Sequence, residues 1–362
     1  MLSVVLPIRV STGGEFRIER LGALLAFFGR YDDVECVVVD SASPAPFGEQ
    51  IRRLCDGRPR CRLVADPDPQ EPFAPGAVRN AGAREARGEW LLFFDVDFSA
   101  GASFVPDVLA WTRAARDPRD FLVVPCLFLT RESTERLAFR GEPADLGPYR
   151  ASLLAGDNDL VHHLATSPSP LVVRREHFLA IGGNRPEYRG HGYEDFDLLH
   201  RLASHRPIGK RPPDYLDDVK AQFVGDLRGF RAYFALYGLP HLFEGLHAAH
   251  LWHARPPEEP FFARREENAA LFQRLAREHD AAGAWTDEGA TPTSPLRDVI
   301  NELMHRHGVD PAANPGLLRR KEGVAPRRGT PLSKLRKLLR SPRSFLADSR
   351  LPPLRALARL LG

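Results

Sequence analysis

Short apolar runs and helically spaced apolar positions alternate along the first hundred residues. Leu2 to Leu6 is such a run, ended by Pro7, and residues 19–30 follow with the spacing of a helix. Glu35 to Val39 is a second run, stopping at Asp40. The order then repeats with a helix over 50–54, a short strand from Arg62 to Val64 leading to Asp66, and a helix over 77–87 entered through Gly76. A strand from Glu89 to Phe94 closes the series. Apolar runs of this length read as buried strands, and their alternation with helices is the mark of parallel βαβ units. The fold class expected is α/β, a mostly parallel central sheet flanked by helices. Arg9, Asp40 and the pair Asp95/Asp97 follow three strand ends, so they gather on one sheet edge, where ligands bind in such folds.

Beyond residue 100 the spacing predicts a helix over 105–116, a buried strand over 121–129 and no clear period over 130–168. Leu171 to Val173 reads as a strand, Arg175 to Ala180 as a short helix closed by Gly182-Gly183, and Tyr193 to Ala203 as a helix. After about residue 275 the pattern weakens into Pro-, Gly- and Ala-rich connections around one helix, Leu296 to His305. The expected organisation is an α/β domain over 1–275, a helical and loop extension over 276–330, and a basic tail over 331–362.

At 362 residues, 43% hydrophobic and 27% charged, the chain has the make-up of an ordinary soluble globular protein. No apolar run approaches the roughly 18 residues that span a bilayer. The chain opens on an apolar strand without a basic leader, which argues for the cytoplasm. Cys36, Cys55, Cys61 and Cys126 lie apart and read as reduced core thiols. The net charge of +3 is unevenly spread: residues 331–362 hold eight bases against one acid, Asp348, which leaves a slightly acidic body. A body of that sign does not suit a nucleic-acid partner. The tail reads as two short basic amphipathic helices broken by prolines, with Leu335, Leu338 and Leu339 on one face. Such segments lie in membrane interfaces, each base adding about 1 kcal/mol near an anionic surface; a helix pair docked on protein is the alternative.

Asp95 and Asp97 end the strand Leu-Leu-Phe-Phe. Two acids at this spacing can reach one hard cation, which wants oxygen ligands and often brings phosphates. Glu194-Asp195 opens a helix just after the Gly190-His191-Gly192 turn, whose glycines permit unusual backbone angles and close substrate approach. Acids in a first turn also simply complement the helix dipole, so both readings stand from the residues alone.

Seven motifs occur in order: Val-Val-Leu-Pro-Ile-Arg at 4–9, Val-Val-Val-Asp-Ser-Ala-Ser at 37–43, Gly-Ala-Val-Arg-Asn-Ala-Gly at 76–82, Phe-Phe-Asp-Val-Asp at 93–97, Ile-Gly-Gly at 181–183, Gly-His-Gly-Tyr-Glu-Asp-Phe-Asp at 190–197 and His-Leu-Trp-His at 250–253. In this set the chain resembles the GT-A glycosyltransferases of the large inverting group that includes cellulose, chitin and chondroitin synthases. The resemblance implies a GT-A fold over roughly residues 1–275 and transfer of a sugar from a nucleotide-sugar, UDP by resemblance, to a hydroxyl of a glycan acceptor. It implies nucleotide-sugar contacts at Pro7, Ile8, Arg9, Asp40, Asp66, Asp95 and Val96. Arg79 and Asn80, early in a helix, suit a diphosphate, Arg79 through its planar fork. A turn Asp at 40 or 66 and a solvated Arg79 are the plain alternatives.

The metal implied is Mn²⁺ or Mg²⁺, held by Asp97 with His250 or His253; an imidazole beside a carboxylate favours Mn²⁺. The alternative for His253 is to cover the diphosphate, a role also open to Arg255 in a lid over 254–263. Asp195 is implied as general base, with Glu194 holding an acceptor hydroxyl and Gly190, His191, Gly192 and Tyr193 forming the acceptor side. The family usually has Trp between the two glycines, and His191 here puts acceptor identity in question. The tail resembles basic segments of bacterial capsule-synthesis proteins, which points to capsule or cell-surface polysaccharide and to the inner face of the cytoplasmic membrane. Three rival classes fit less well: a sugar nucleotidyltransferase lacks its Gly-rich loop at Pro7-Ile8-Arg9; a non-catalytic glycan-binding relative need not keep both metal set and acid pair; and a metallohydrolase wants further spaced histidines.

Overall fold

The computed structural model describes residues 1–137, 143–157, 159–254 and 260–324, with Leu346 alone beyond them. Arg255, half of the expected lid and the basic tail apart from Leu346 lie outside the described residues. The chain runs β1 (Leu2–Ile8), α1 (Phe16–Phe28), β2 (Val34–Asp40), α2 (Phe47–Cys55), β3 (Cys61–Ala65), α3 (Pro75–Glu85), β4 (Trp90–Phe93), β5 (Phe98–Ala100) and α4 (Phe104–Ala114). It continues with β6 (Phe121–Val123), β7 (Cys126–Leu129), α5 (Arg131–Arg136), α6 (Gly147–Ala155), β8 (Val161–Ala165), β9 (Leu171–Arg174), α7 (Arg175–Ala180) and α8 (Glu194–His205). Two-residue strands β10 (Asp218–Val219) and β11 (Arg228–Gly229) precede α9 (Phe230–Glu244), β12 (Ala248–His250), α10 (Arg265–Ala281) and α11 (Leu296–Arg306).

Six strands form the main sheet in the order β3-β2-β1-β4-β9-β6, the first four parallel and β9 antiparallel to both neighbours. The order runs outward from β1 in one direction and restarts at β4 on its other side. The crevice at that reversal is where such sheets bind ligands. Apolar residues alternate across the sheet: Leu2, Val4, Leu6, Cys36 and Val38 face one core with α1, α2 and α4, while Val5, Val37 and Val39 face a second core with α3, α8, α9 and α10. Helix α3 lies so close that a Cβ at Gly82 would sit 2.4 Å from Val5 Cγ1. Glycine there lets the helix carry its side chains down to the sheet edge.

Four expectations change. Pro7 does not end β1, which pairs with β2 as far as Ile8 opposite Asp40. Pairing with β4 stops at Val5 opposite Phe93, so the strand tolerates the missing N–H of Pro7 beyond the doubly paired part. The single strand expected over 121–129 is two, because Pro125 interrupts the ladder and sends β7 into another sheet. That second sheet, β5-β12-β7-β8, was not foreseen. The region without clear period holds α5, capped by the Thr130 hydroxyl accepting from Ser133 N–H at 3.0 Å, together with α6 and β8. No helix among the described residues is long and apolar enough to cross a membrane. All four cysteines are free thiols, three of them buried.

His200 of α8 is buried, with Nδ1 3.0 Å from the Tyr215 hydroxyl and Nε2 3.2 Å from His279 Nδ1. Burial first, then the charges of His279 and Arg211, push its pKa down to about 2. Unfolding raises that pKa to the ordinary 6.5, so the unfolded chain takes up the proton first. The stabilisation is complete above that value and is lost as pH falls below it. Urea titrations should show His200 alone costing about 2 kcal/mol between pH 7.5 and pH 5. His200→Gln should remove that share of the pH dependence; an unchanged slope would contradict the assignment.

Candidate active site

The main sheet delivers Asp95 and the second sheet delivers Asp97. After β4, Phe94 N–H donates to Val5 O at 3.1 Å, and Phe98 N–H turns back to Asp95 O at 3.0 Å. Strand β5 starts there and pairs antiparallel with β12, setting Phe98 opposite His250. Leu251 N–H donates to Asp97 O at 2.8 Å, which locks the acid beside the histidine segment. Asp97, His250 and His253 therefore offer ligand atoms that all lie within 4.8 Å of one another. The His250 ring stacks on Phe128 at 4.2 Å and 8°, and His253 stacks on Phe16 at 5.6 Å. Burial works to raise the Asp97 pKa, but the neighbouring His253, Arg20 and His250 charges outweigh it and hold the carboxyl below its ordinary value.

One carboxylate with two imidazoles is a donor set that suits a borderline divalent cation such as Mn²⁺. A second group, His200, His279 and Asp280, also has its ligand atoms close together. There both Asp280 oxygens already accept from Arg211 Nη1 at 2.8 and 2.7 Å. Both oxygens of that carboxylate are taken, whereas Arg20 takes only Oδ1 of Asp97, so Asp97 with its two histidines is the better candidate for a cation.

Asp95 takes a different role from its neighbour. Its oxygens accept from Arg79 Nη2 at 3.0 and 3.2 Å and from the Ser169 hydroxyl at 2.7 Å. The same guanidinium donates through Nη1 to Asp195 Oδ1 at 2.9 Å and stands 3.8 Å from Glu194. Arg79 is only 4% exposed; burial disfavours its charge, but the three carboxylates outweigh that and keep it protonated. Glu194 and Asp195 open α8 from Tyr193, which holds a left-handed φ of 76°. Burial raises the pKa of both acids, aided by Asp195 in the case of Glu194 and opposed in each by Arg79. Glu194 Oε2 is buried with no hydrogen-bond partner among the described residues.

A cavity of about 500 Å³ joins these groups. Pro7, Ile8, Arg9, Arg79, Asp95, Val96, Asp97, His191, Glu194, Asp195, His250 and His253 all line it. The remaining sites expected from sequence are not in its wall. Asp40, half-buried, pairs with Ile8 at the strand end and accepts from Ser43 N–H at 3.1 Å. Asp66 is buried and holds the Ser41 hydroxyl at 2.6 Å. Asn80 clamps Asn184, donating to its carbonyl at 2.7 Å and accepting its N–H at 2.8 Å. The Tyr193 hydroxyl donates to Asp218 within an aromatic cluster. Gly190 donates to Phe73 O and His191 to Phe261 O, at 3.0 and 2.7 Å. A Cβ at Gly190 would meet Phe261 O at 2.6 Å, so the turn admits the 260s segment only as glycine.

Arg17, Ser169 and Phe73 also line it with no sequence expectation behind them, and Phe261 and Phe262 line it from the segment expected as a lid. Arg20 stands just behind them, paired to Asp97. Of the unforeseen residues, a legible trace existed only for the two arginines, bases three apart in the first helix after β1.

The chain belongs to glycosyltransferase-like family 2, whose profile matches residues 3–276. Its fold is of the GT-A type, a central sheet flanked by helices. No curated protein matches the chain. Among solved structures, residues 1–349 of S. aureus TarS are similar at 16% identity and a TM-score of 0.39, over 56% of this chain and 55% of that one. The chain thus matches little more than half the length of that structure. A mannosyltransferase from Pyrobaculum calidifontis, in complex with GDP-mannose and Mn²⁺, is 18% identical over 86% of this chain and 81% of its own, with a TM-score of 0.38. Glucosyl-3-phosphoglycerate synthase from Mycobacterium tuberculosis, in complex with Mn²⁺, UDP-glucose and phosphoglyceric acid, is 15% identical over 83% and 91%, with a TM-score of 0.37.

The unequal partners of the two acids predict unequal metal binding. By isothermal calorimetry, Asp97→Asn should weaken Mn²⁺ binding by more than the roughly 10–100-fold that loss of an outer partner costs. Asp95→Asn should stay within about threefold of the parent. Equal losses would contradict the division of roles.

Proposed function

We propose that the chain moves a sugar from a UDP-sugar to a hydroxyl of a glycan acceptor with inversion, in capsule or cell-surface polysaccharide synthesis. The observation that supports this best is the single cavity in which Asp97, His250 and His253 face Glu194 and Asp195, with Arg79 spanning Asp95 and Asp195. Asp97, His250 and His253 would hold the Mn²⁺ (or Mg²⁺), which when bound stabilises charge on a leaving diphosphate.

Asp195 acts as general base. Arg79 occupies Oδ1, which leaves the second oxygen for the proton of an acceptor hydroxyl. Its raised pKa makes it a stronger proton acceptor than an ordinary aspartate. Glu194 offers its unpartnered buried oxygen to a neighbouring acceptor hydroxyl. The nucleotide takes the end of the sheet by Pro7, Ile8 and Arg9, with Asp95 and Val96 near the ribose. Arg79 is committed to carboxylates, so the cation that meets the diphosphate is Arg17, half-buried in the cavity wall. His191 with Phe261 and Phe262 forms the acceptor rim, their rings 5.1–5.5 Å apart. The basic tail over 331–362 holds the protein at the inner face of an anionic membrane.

Asp195→Asn should lower transfer by roughly 10²–10⁴-fold while UDP and Mn²⁺ binding persist, read by UDP release on adding acceptor and by calorimetry. Persisting transfer places the base elsewhere. In a liposome pull-down, the full chain should sediment with anionic vesicles and a 1–330 truncation should not; equal sedimentation removes the membrane role.

A further inference from the structure

Helix α1 approaches the Asp97–histidine cluster through two residues one turn apart. Phe16 stacks on His253 at 5.6 Å. Arg20 lies over the Phe16 ring at 4.6 Å and donates through Nη1 to Asp97 Oδ1 at 2.5 Å. The guanidinium does not stop at the acid. Nη2 donates to Trp252 O at 2.8 Å, and Nη1 lies 3.5 Å from Leu251 O. Those two carbonyls belong to the residues between His250 and His253. One planar fork therefore ties the carboxylate to the segment that carries both imidazoles. Its side chain is 11% exposed and that of Asp97 16%, so water screens the pair little.

The pairing also distinguishes the two Asp97 oxygens. Oδ1 belongs to Arg20, and Oδ2 is the oxygen that stands 3.6 Å from His253 Nε2. We propose that Arg20 is a positioning residue for the cation: it occupies Asp97 Oδ1, presents Oδ2 alone towards the imidazoles, and fixes the His250–His253 segment against the acid. This rests on reading the cluster as a cation site. Lysine is no substitute, because a point charge can hold the acid but cannot reach two backbone carbonyls in the plane of a fork. Ligating carboxylates held by such outer partners lose metal affinity when the partner goes.

The test is Mn²⁺ binding by the full chain without nucleotide, by calorimetry and by the electron paramagnetic resonance spectrum of the bound ion. Arg20→Met should weaken binding on the order of tenfold and change the Mn²⁺ line shape, as the carboxylate turns free. Arg20→Lys keeps the charge and guards against misfolding of the methionine variant; it should show the same loss and the same altered spectrum. Affinity and spectrum equal to the parent in Arg20→Lys would overturn the proposal, because charge alone would then suffice. Tighter binding in Arg20→Met would also overturn it, since Arg20 would then merely compete with the cation. A parent chain that binds no Mn²⁺ would instead sink the reading of the cluster itself, separating the two failures.

Discussion

One buried guanidinium makes the cavity possible. Asp95, Glu194 and Asp195 converge on Arg79, and Asp97 stands two residues from Asp95. Like charges about 4 Å apart repel by about 4 kcal/mol at an effective dielectric near 20, so these acids cannot share a half-dry cavity uncompensated. Arg79 supplies one positive charge to three of them and Arg20 supplies a second to Asp97. The helix register of α3 and the close approach allowed by Gly82 set Arg79 there. How these two arginines divide four acids leaves Asp95 saturated and sets how far burial can raise Glu194 and Asp195, against which Arg79 works.

That division also gives Asp95 and Asp97, two residues apart, separate jobs. Asp95 is used up by Arg79 and Ser169, which ties the main sheet to the first turn of α8. Asp97 keeps an oxygen towards the histidines because the second sheet turns it away. The ladder between β5 and β12 is only three residues long, and the Leu251 N–H bond to Asp97 O and the Arg20 fork help it bring residue 97 to residue 250. Stacking of His250 on Phe128 of β7 fixes the ring from the next strand.

Much of this was legible in the amino-acid order. The parallel half of the sheet declared itself through continuous apolar runs, and of the strand-end acids only Asp95 and Asp97 line the candidate cavity. The helix of Glu194-Asp195 and the histidines at 250 and 253 were legible as motifs. What stayed hidden depends on tertiary contact. The second sheet uses strands of three to five residues, too short for a period to show. Helix α9 is apolar nearly all round, with Pro240 inside it, so neither periodicity nor propensity marked it. Arg79 and Asn80 look alike as early-helix polar residues. Only the packing shows one bridging the acids and the other clamping Asn184. Arg20 could not be paired with Asp97 from spacing, since 77 residues separate them.

Anomalous diffraction from crystals soaked with Mn²⁺ and UDP tests the central claim most directly. The account requires one manganese peak within bonding reach of Asp97 and at least one of His250 and His253, with Arg79 still between Asp95 and Asp195. A peak on Asp95 with Arg79 displaced, or at His200 and His279, would contradict it.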